Sequence, residues 1–309
     1  MFSQFFGHYL LNHGLISGEQ LKEALHLMQS THVKLGVLAV NEGLLTGAQV
    51  IEIHEKQKLV DQRFGEIAVV LGYLKDEQVE YLLSAQKHQH LQLAQALVDQ
   101  EFLSIEEFSL ALDSYKKEYG LTEEKFDSIK NGDIETLVET LIPSSDEKKK
   151  GSFISYLSLF IKNMVRFIDD TVYVDIHPLN GKLEASHFVS QEIIGDSSLF
   201  TAIGADHEVF LKLASIYAEE QLEEVDELTK ASVSEFLNLH NGIYLVNMSN
   251  EGTELEMKPQ RYQENVEIEL LASGYYVQVL TSFGPFFMVL SDHPEEMNLL
   301  RQLTLIESL

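Results

Sequence analysis

The chain has no cysteine. This excludes a disulfide framework, a thiolate nucleophile and a cysteine-ligated metal, and it fits a reducing compartment. Basic side chains are scarce: 22 Lys and Arg stand against 49 Asp and Glu in 309 residues, a formal net charge of −27. From residue 151 onward the imbalance is sharper, with 25 acidic and 8 basic side chains. A field of this sign repels nucleic-acid backbones and anionic membrane surfaces. It suits either a protein partner with a basic rim or plain solubility. No run of eighteen apolar residues occurs, so no membrane insertion is expected. The opening Met1-Phe2-Ser3-Gln4-Phe5-Phe6 lacks the basic region and long apolar core of a signal peptide, and a cytoplasmic location is expected. No Gly-x-Gly-x-x-Gly, P-loop or Gly-x-Ser-x-Gly elbow occurs. The histidines scatter; the closest pair, His88 and His90, reads as surface residues rather than a metal site.

What the chain does have is a repeat. Gly7, Gly36, Gly65 and Ala94 fall 29 residues apart, as do Gly14, Gly43, Gly72 and Glu101. The apolar column Leu21, Val50, Val79, Phe108 keeps the same spacing. Each unit reads as a short helix, a glycine-marked turn and a longer helix. Ser17, Thr46, Asp76 and Ser104 are placed as caps, and Gly14 and its equivalents end the first helix in a left-handed conformation. Repeats of this length bury a core shared between neighbours. An all-helical domain of four repeats is therefore expected over residues 1–118.

The pattern resembles the N-terminal domain of the type II secretion and MSHA pilus assembly ATPases, most closely in Arg63-Phe64-Gly65 with Gly72-Tyr73-Leu74. Some members of that family bind cyclic di-GMP through such arginines, which makes Arg63 a candidate. Only this unit keeps the arginine, and the acidic surroundings oppose a dianionic ligand. The other reading is a helical module that docks onto another domain or protein. Residues 119–150 then read as a helical extension with short helices at Lys125–Ile129 and Asp133–Glu139, closed by the polar linker Pro143 to Lys150.

From residue 151 the pattern changes to a mixed α+β domain, 151–309. Ile154, Leu157, Ile161, Met164, Val165 and Ile168 keep helical spacing. Strands are expected near Thr171–Ile176, Lys182–Ile194 and Ser198–Gly204, then helices over Glu208–Glu219 and Gln221–Leu239, the second ending near Asn241-Gly242. Strands are expected again at Ile243–Met248, Glu254–Met257, Val266–Leu271, Tyr275–Leu280 and Phe286–Leu290, with hairpin turns at Asn250-Glu251-Gly252 and Ala272-Ser273-Gly274. The implied fold is a mainly antiparallel sheet covered on one face by helices.

Within the second helix of this domain, Val233, Phe236 and Leu237 form a buried stripe, and Glu235 and Asn238 lie one turn apart on another face. A carboxylate can hold a cation, and an amide can donate and accept, which orienting a water requires. Spacing alone leaves a second reading open, since Glu and Asn are common on solvent-facing helices and Asn near a helix end is often a cap. His240, close behind Asn238, has two readings, lining a site or helping to close that helix end, and the second is favoured.

Ile193-Ile194-Gly195, the strand end at Gly204, the two helices, and Glu235-Phe236-Leu237-Asn238 followed by Gly242 resemble the CheC/CheX group of chemotaxis phosphatases over roughly residues 151–295. The resemblance implies a domain that docks beside the aspartyl phosphate of a response-regulator receiver. It assigns Glu235 to pairing with the receiver's lysine and Asn238 to positioning the attacking water, while the receiver supplies its own Mg2+ and this chain no cofactor. The match departs where the family often places Asp or Ser four residues before the glutamate, here Ala231. The family's usual proline, a little over twenty residues after the asparagine, has its counterpart in Pro259, which comes slightly early. The single Glu-x-x-Asn pair is closer to the one-site members, which pair through their sheets, so a homodimer is implied unless the N-terminal domain replaces that edge. Two other functions fit the same sequence: a scaffold that binds a receiver or a secretion or pilus component without turnover, and a cyclic di-GMP sensor working through the repeats.

Overall fold

The computed structural model describes residues 2–28, 34–57, 60, 62–85, 89–142, 147–179, 181–270, 274–293 and 297–302. The chain divides into two compact units, Met1–Asp133 and Ile134–Leu309.

The first unit is helical. Four helix pairs follow one another: α1 (Phe2–Asn12) and α2 (Gly18–Leu27), α3 (Leu35–Asn41) and α4 (Gly47–Gln57), α5 (Phe64–Val70) and α6 (Asp76–Ala85), α7 (Gln89–Asp99) and α8 (Ile105–Glu118); α9 (Glu123–Lys130) comes after them. The two glycine columns have different physical causes. Gly14, Gly43 and Gly72 end the first helix of each pair at φ of 67°, 65° and 74°, and Glu101 adopts the same turn at 57°. All four make the same pair of closing bonds. The N–H of the turn residue reaches back three residues, as from Gly43 to the Val40 carbonyl at 3.0 Å. The next N–H reaches back five, as from Leu44 to the Ala39 carbonyl at 2.9 Å.

The other column is set by packing. A Cβ on Gly7 would lie 2.6 Å from Leu21, on Gly36 2.9 Å from Val50, and on Gly65 2.7 Å from Val79, so the apolar column of each second helix rests on the glycine of its own first helix. The repeats also close on themselves. Phe6 of α1 meets Phe108 and Tyr115 of α8 edge-on at 5.8 and 5.5 Å. Phe2 does the same with Phe126 of α9 at 5.5 Å.

One expected cap moves. Ser17, Thr46 and Ser104 do cap the second helices, each through its side-chain oxygen. In the third unit the equivalent position is Lys75, which has no acceptor; Asp76 is already the first helical residue. There the Lys75 N–H is held by the Gln78 side chain at 2.9 Å, half of the reciprocal bond that the other units make in full.

The second unit opens with α10 (Ile134–Leu141), which packs on α11 (Glu147–Phe167). Of the expected linker, residues 143–146 lie outside the described residues, and Glu147 to Lys150 form the first turn of α11. The sheet is antiparallel in order β1-β6-β7-β3-β2-β5-β8, with β4 also pairing β2. Its strands are β1 (Tyr173–Pro178), β2 (Gly181–Gly195), β3 (Leu199–Ala205), β4 (Leu255–Met257), β5 (Arg261–Leu270), β6 (Gly274–Thr281), β7 (Gly284–Ser291) and β8 (Met297–Gln302). Helices α12 (His207–Tyr217) and α13 (Glu227–Asn250) lie between β3 and β4 in the chain. They pack on the sheet face that carries His187, Gln191 and Thr201.

The alternation along β2 breaks once, beside Asn265 of β5, whose φ is 51°. That irregularity brings Leu183 and Ala185 to the same face as Phe188, where they join Phe200, Val266, Ile268 and Val289 in a second apolar cluster.

The expected end of the second helix is corrected. Asn241-Gly242 does not stop α13, and residues 243–248 are helical, not a strand. Asn241 is fully buried with its side chain bonded inside the fold, so it is not available as a cap. The stop lies at Gly252, at φ 84°, with the Thr253 N–H closing on the Met248 carbonyl at 2.9 Å. Asn250-Glu251-Gly252 is therefore a helix terminus and not a hairpin. The start also shifts, to Glu227, because Asp226 accepts from the Thr229 N–H at 2.9 Å. The other expected hairpin turn, at 272–274, falls mostly outside the described residues, as does His88, whereas His90 lies in the first turn of α7.

Candidate functional site

The stripe Val233, Phe236 and Leu237 is fully buried against the sheet side of α13. This turns Glu235 outward, where it is exposed, and leaves Asn238 half-buried at the edge of the same face. The Asn238 Nδ2 donates to Glu235 Oε2 at 3.3 Å. The structure thus brings together the two residues that the sequence singled out. Glu235 also acts on a neighbour: the Tyr217 phenol is pushed up, first by burial and then by the Glu235 charge.

Behind the pair lies a network that the sequence did not disclose. The Gln191 Nε2 on β2 donates to Asn238 Oδ1 at 3.1 Å and to the Lys258 carbonyl at 2.9 Å. The Gln191 Oε1 accepts from Asn241 Nδ2 at 2.9 Å. Asn241 Nδ2 donates also to Thr201 Oγ1 at 2.9 Å, and Asn241 Oδ1 accepts from the Tyr156 hydroxyl at 2.6 Å. The Thr201 hydroxyl proton is committed to the Gln191 main-chain carbonyl at 3.1 Å.

Two main-chain carbonyls therefore fix the direction of the whole chain of bonds. Thr201 can only accept from Asn241, and the Lys258 carbonyl can only accept from Gln191. Reversing either amide would set acceptor against acceptor inside the fold, at a cost of about 1–3 kcal/mol for each stranded group. Pro259 directly follows the carbonyl that anchors Gln191. A polar residue at an inward position between Val189 and Ile193 was the available signal for Gln191. Thr201 within the wholly buried β3 was the signal for its partner.

His240 is corrected as well. It does not close a helix end; it is fully buried in mid-helix, against Tyr156 and Phe160. Burial depresses its pKa to about 3. Burial raises the phenols of Tyr156 and Tyr244.

Arg63 belongs to the first unit, exposed at the N-terminus of α5, with its N–H held by Glu66 at 2.9 Å. Among the described residues no group of three or more His, Asp or Glu side chains could hold a metal ion, and no helix is long and apolar enough to cross a membrane.

No protein-family model and no curated protein matches the chain. Several solved structures are similar to it. A CheC-like superfamily protein from Shewanella sp. PV-4 is 14% identical over 45% of this chain and 96% of its own, with a TM-score of 0.41. The chemotaxis protein CheX from Desulfovibrio desulfuricans is 12% identical over 45% of this chain and 97% of its own, with a TM-score of 0.38. The CheX–CheY–BeF3–Mg2+ complex from Borrelia burgdorferi matches at 14% identity over 45% of this chain and 95% of its own, with a TM-score of 0.36.

Proposed function

We propose that the second unit is a phosphatase for the aspartyl phosphate of a response-regulator receiver domain, in chemotaxis or related two-component signalling. The observation that carries this reading is the exposed Glu235 carboxylate with the Asn238 amide held 3.3 Å from it on the outward face of α13. A receiver docked on that face offers its lysine to Glu235. Asn238 keeps one N–H and one carbonyl lone pair unused, enough to hold a water beside the phosphorus.

The water oxygen attacks phosphorus, the bond to the aspartyl oxygen breaks, and the products are a free carboxylate and inorganic phosphate. Acyl phosphates hydrolyse unaided, so fixing the water in line supplies most of what is needed. The phosphoryl charge is carried by the receiver's own Mg2+ and lysine. An amide needs no unusual protonation state for this task.

The test is dephosphorylation of a panel of phosphorylated receiver domains from the same genome by wild type, Glu235→Ala and Asn238→Ala. Acceleration by wild type that Asn238→Ala removes, with binding retained, supports turnover. Binding without acceleration of any receiver would make this unit a scaffold instead.

A further inference from the structure

We infer that Gln191 is the positioning residue for Asn238, setting which face of its amide is presented to a bound receiver. The inference rests on the phosphatase reading for its kinetic consequence but on geometry alone for its structural content. An asparagine amide at a surface has two faces of opposite hydrogen-bonding character related by a half-turn. Only one places the NH2 group beside Glu235. Glu235 by itself is a weak selector, since it is exposed and its bond to Asn238 is long at 3.3 Å.

Gln191 is a strong selector. It is 3% exposed, and both of its N–H groups are committed, one to Asn238 and one to the Lys258 carbonyl. Its own orientation is imposed from below by Asn241, which Thr201 and Tyr156 hold in turn. The order starts at two main-chain carbonyls, that of Gln191 acting through Thr201 on Asn241 and that of Lys258 acting on Gln191, and runs outward to Asn238. Asn238 is the last member and the only one of the network with a side-chain donor left over, since every side-chain N–H and O–H of Tyr156, Thr201, Asn241 and Gln191 is used. The buried chain thus converts a residue with two orientations into one with a single presented edge, with the exchange cost already met in the fold.

The experiment compares wild type, Gln191→Met, Gln191→Glu and Asn238→Ala as full-length proteins. It measures kcat and KM for receiver dephosphorylation and binding to a beryllofluoride-activated receiver. Gln191→Met should lower kcat roughly tenfold with KM and binding within about twofold, because the docking face is untouched while the amide loses its selector. Gln191→Glu, an acceptor when ionised, should turn the Asn238 NH2 inward and lower kcat at least as much. Its activity relative to wild type should recover as pH falls and the introduced carboxyl gains a proton to donate.

A second measurement needs no turnover. In protein labelled with 15N-asparagine, the Asn238 NH2 protons should show contacts to the Glu235 side chain in wild type and lose them in Gln191→Met. If Asn238→Ala abolishes activity while both Gln191 variants keep wild-type kcat, the positioning role is overturned and the phosphatase reading stands. If wild type accelerates no receiver, that reading fails and the amide contacts decide. Their absence in wild type, or their persistence in Gln191→Met, overturns the positioning role.

Discussion

Asn163 on α11 faces His240 on α13, Nδ2 to Nδ1, at 3.0 Å. The amide can only donate there, so the ring proton sits on Nε2, which is buried and has no hydrogen-bond partner among the described residues. His240 is thus a neutral base in an apolar site beside Tyr156 and Phe160.

This arrangement makes the second unit acid-sensitive. Unfolded, the ring takes up a proton near its ordinary pKa of 6.5; folded, it does so only at about 3. Between these values the unfolded chain binds more protons, so the His240 contribution is complete above 6.5 and is lost as pH falls toward 3. The limiting slope is about 1.4 kcal/mol per pH unit. His240→Phe should remove that part of the slope. Urea unfolding from pH 4 to 8, followed by a probe in the second unit, measures it.

The repeat predicts a stabilising substitution. Glu101 holds φ 57° where the three preceding units have glycine, and a side chain in that region costs about 1 kcal/mol. Glu101→Gly should therefore stabilise the first unit by a few tenths of a kcal/mol, once the greater freedom of glycine in the unfolded chain (about 0.4–1 kcal/mol) is subtracted. Gly43→Ala should destabilise by about 1 kcal/mol. No atom of the described residues lies within 4 Å of the added Cβ at Gly43, so the effect is one of backbone and not of crowding. Chemical denaturation of the two variants should move the midpoint in opposite directions.

The two residues of the pair should fail differently. On the proposed phosphatase reading, Asn238→Ala removes the group that would hold the water, and should lower kcat about a hundredfold with KM little changed. Glu235→Gln keeps the shape and removes the charge that, on the same reading, would meet the receiver's lysine. It should raise KM and steepen with salt less than wild type does, because the lost attraction is the screened one. Steady-state kinetics at 0.05 and 0.5 M salt separate the two outcomes. A fall in kcat alone for Glu235→Gln would instead place the carboxylate on the reacting atoms.

The helical repeat and the Glu-x-x-Asn pair were legible because each depends on local spacing. The turn glycines recur because the backbone needs φ near 65°, and Glu235 and Asn238 are neighbours by the pitch of one helix. The end of α13 was misread for the opposite reason. Asn241-Gly242 is a strong local stop signal, but Asn241 is bonded across the sheet to Gln191 and Thr201, residues 50 and 40 positions away. Lys75 was misread on a smaller scale: Asp76 looks like the cap, yet the 29-residue register places Lys75 there, with Gln78 as its substitute. Local signals lose wherever a side chain is committed to a distant strand, and that is also where the network behind the site lies.

The outward face of α13 supplies a last prediction, about docking. Leu228, Ala231, Glu235, Gly242 and Val246 follow one another at helical spacing and share a face. Leu228 is 47% and Val246 61% exposed. At a rise of about 1.5 Å per residue they bracket Glu235 at roughly 10 and 16 Å, within the width of one receiver-sized footprint. Of the positions between them that flank Glu235, Ala231 is small and exposed, while Gly242 is half-buried with the Met257 methyl 3.8 Å from where a Cβ would lie. Two large apolar side chains left in water on either side of an acidic group suit a surface that a partner covers. Leu228→Asp and Val246→Asp should each weaken binding of a beryllofluoride-activated receiver about tenfold, and by more with both changed. Neither should alter kcat at saturating receiver, because neither side chain lies at the Asn238 amide, where the proposed water would be held. Titration calorimetry with the single and double variants measures this directly. Unchanged affinity in the double variant would move the docking surface off this face of α13, and with it the role assigned to Glu235.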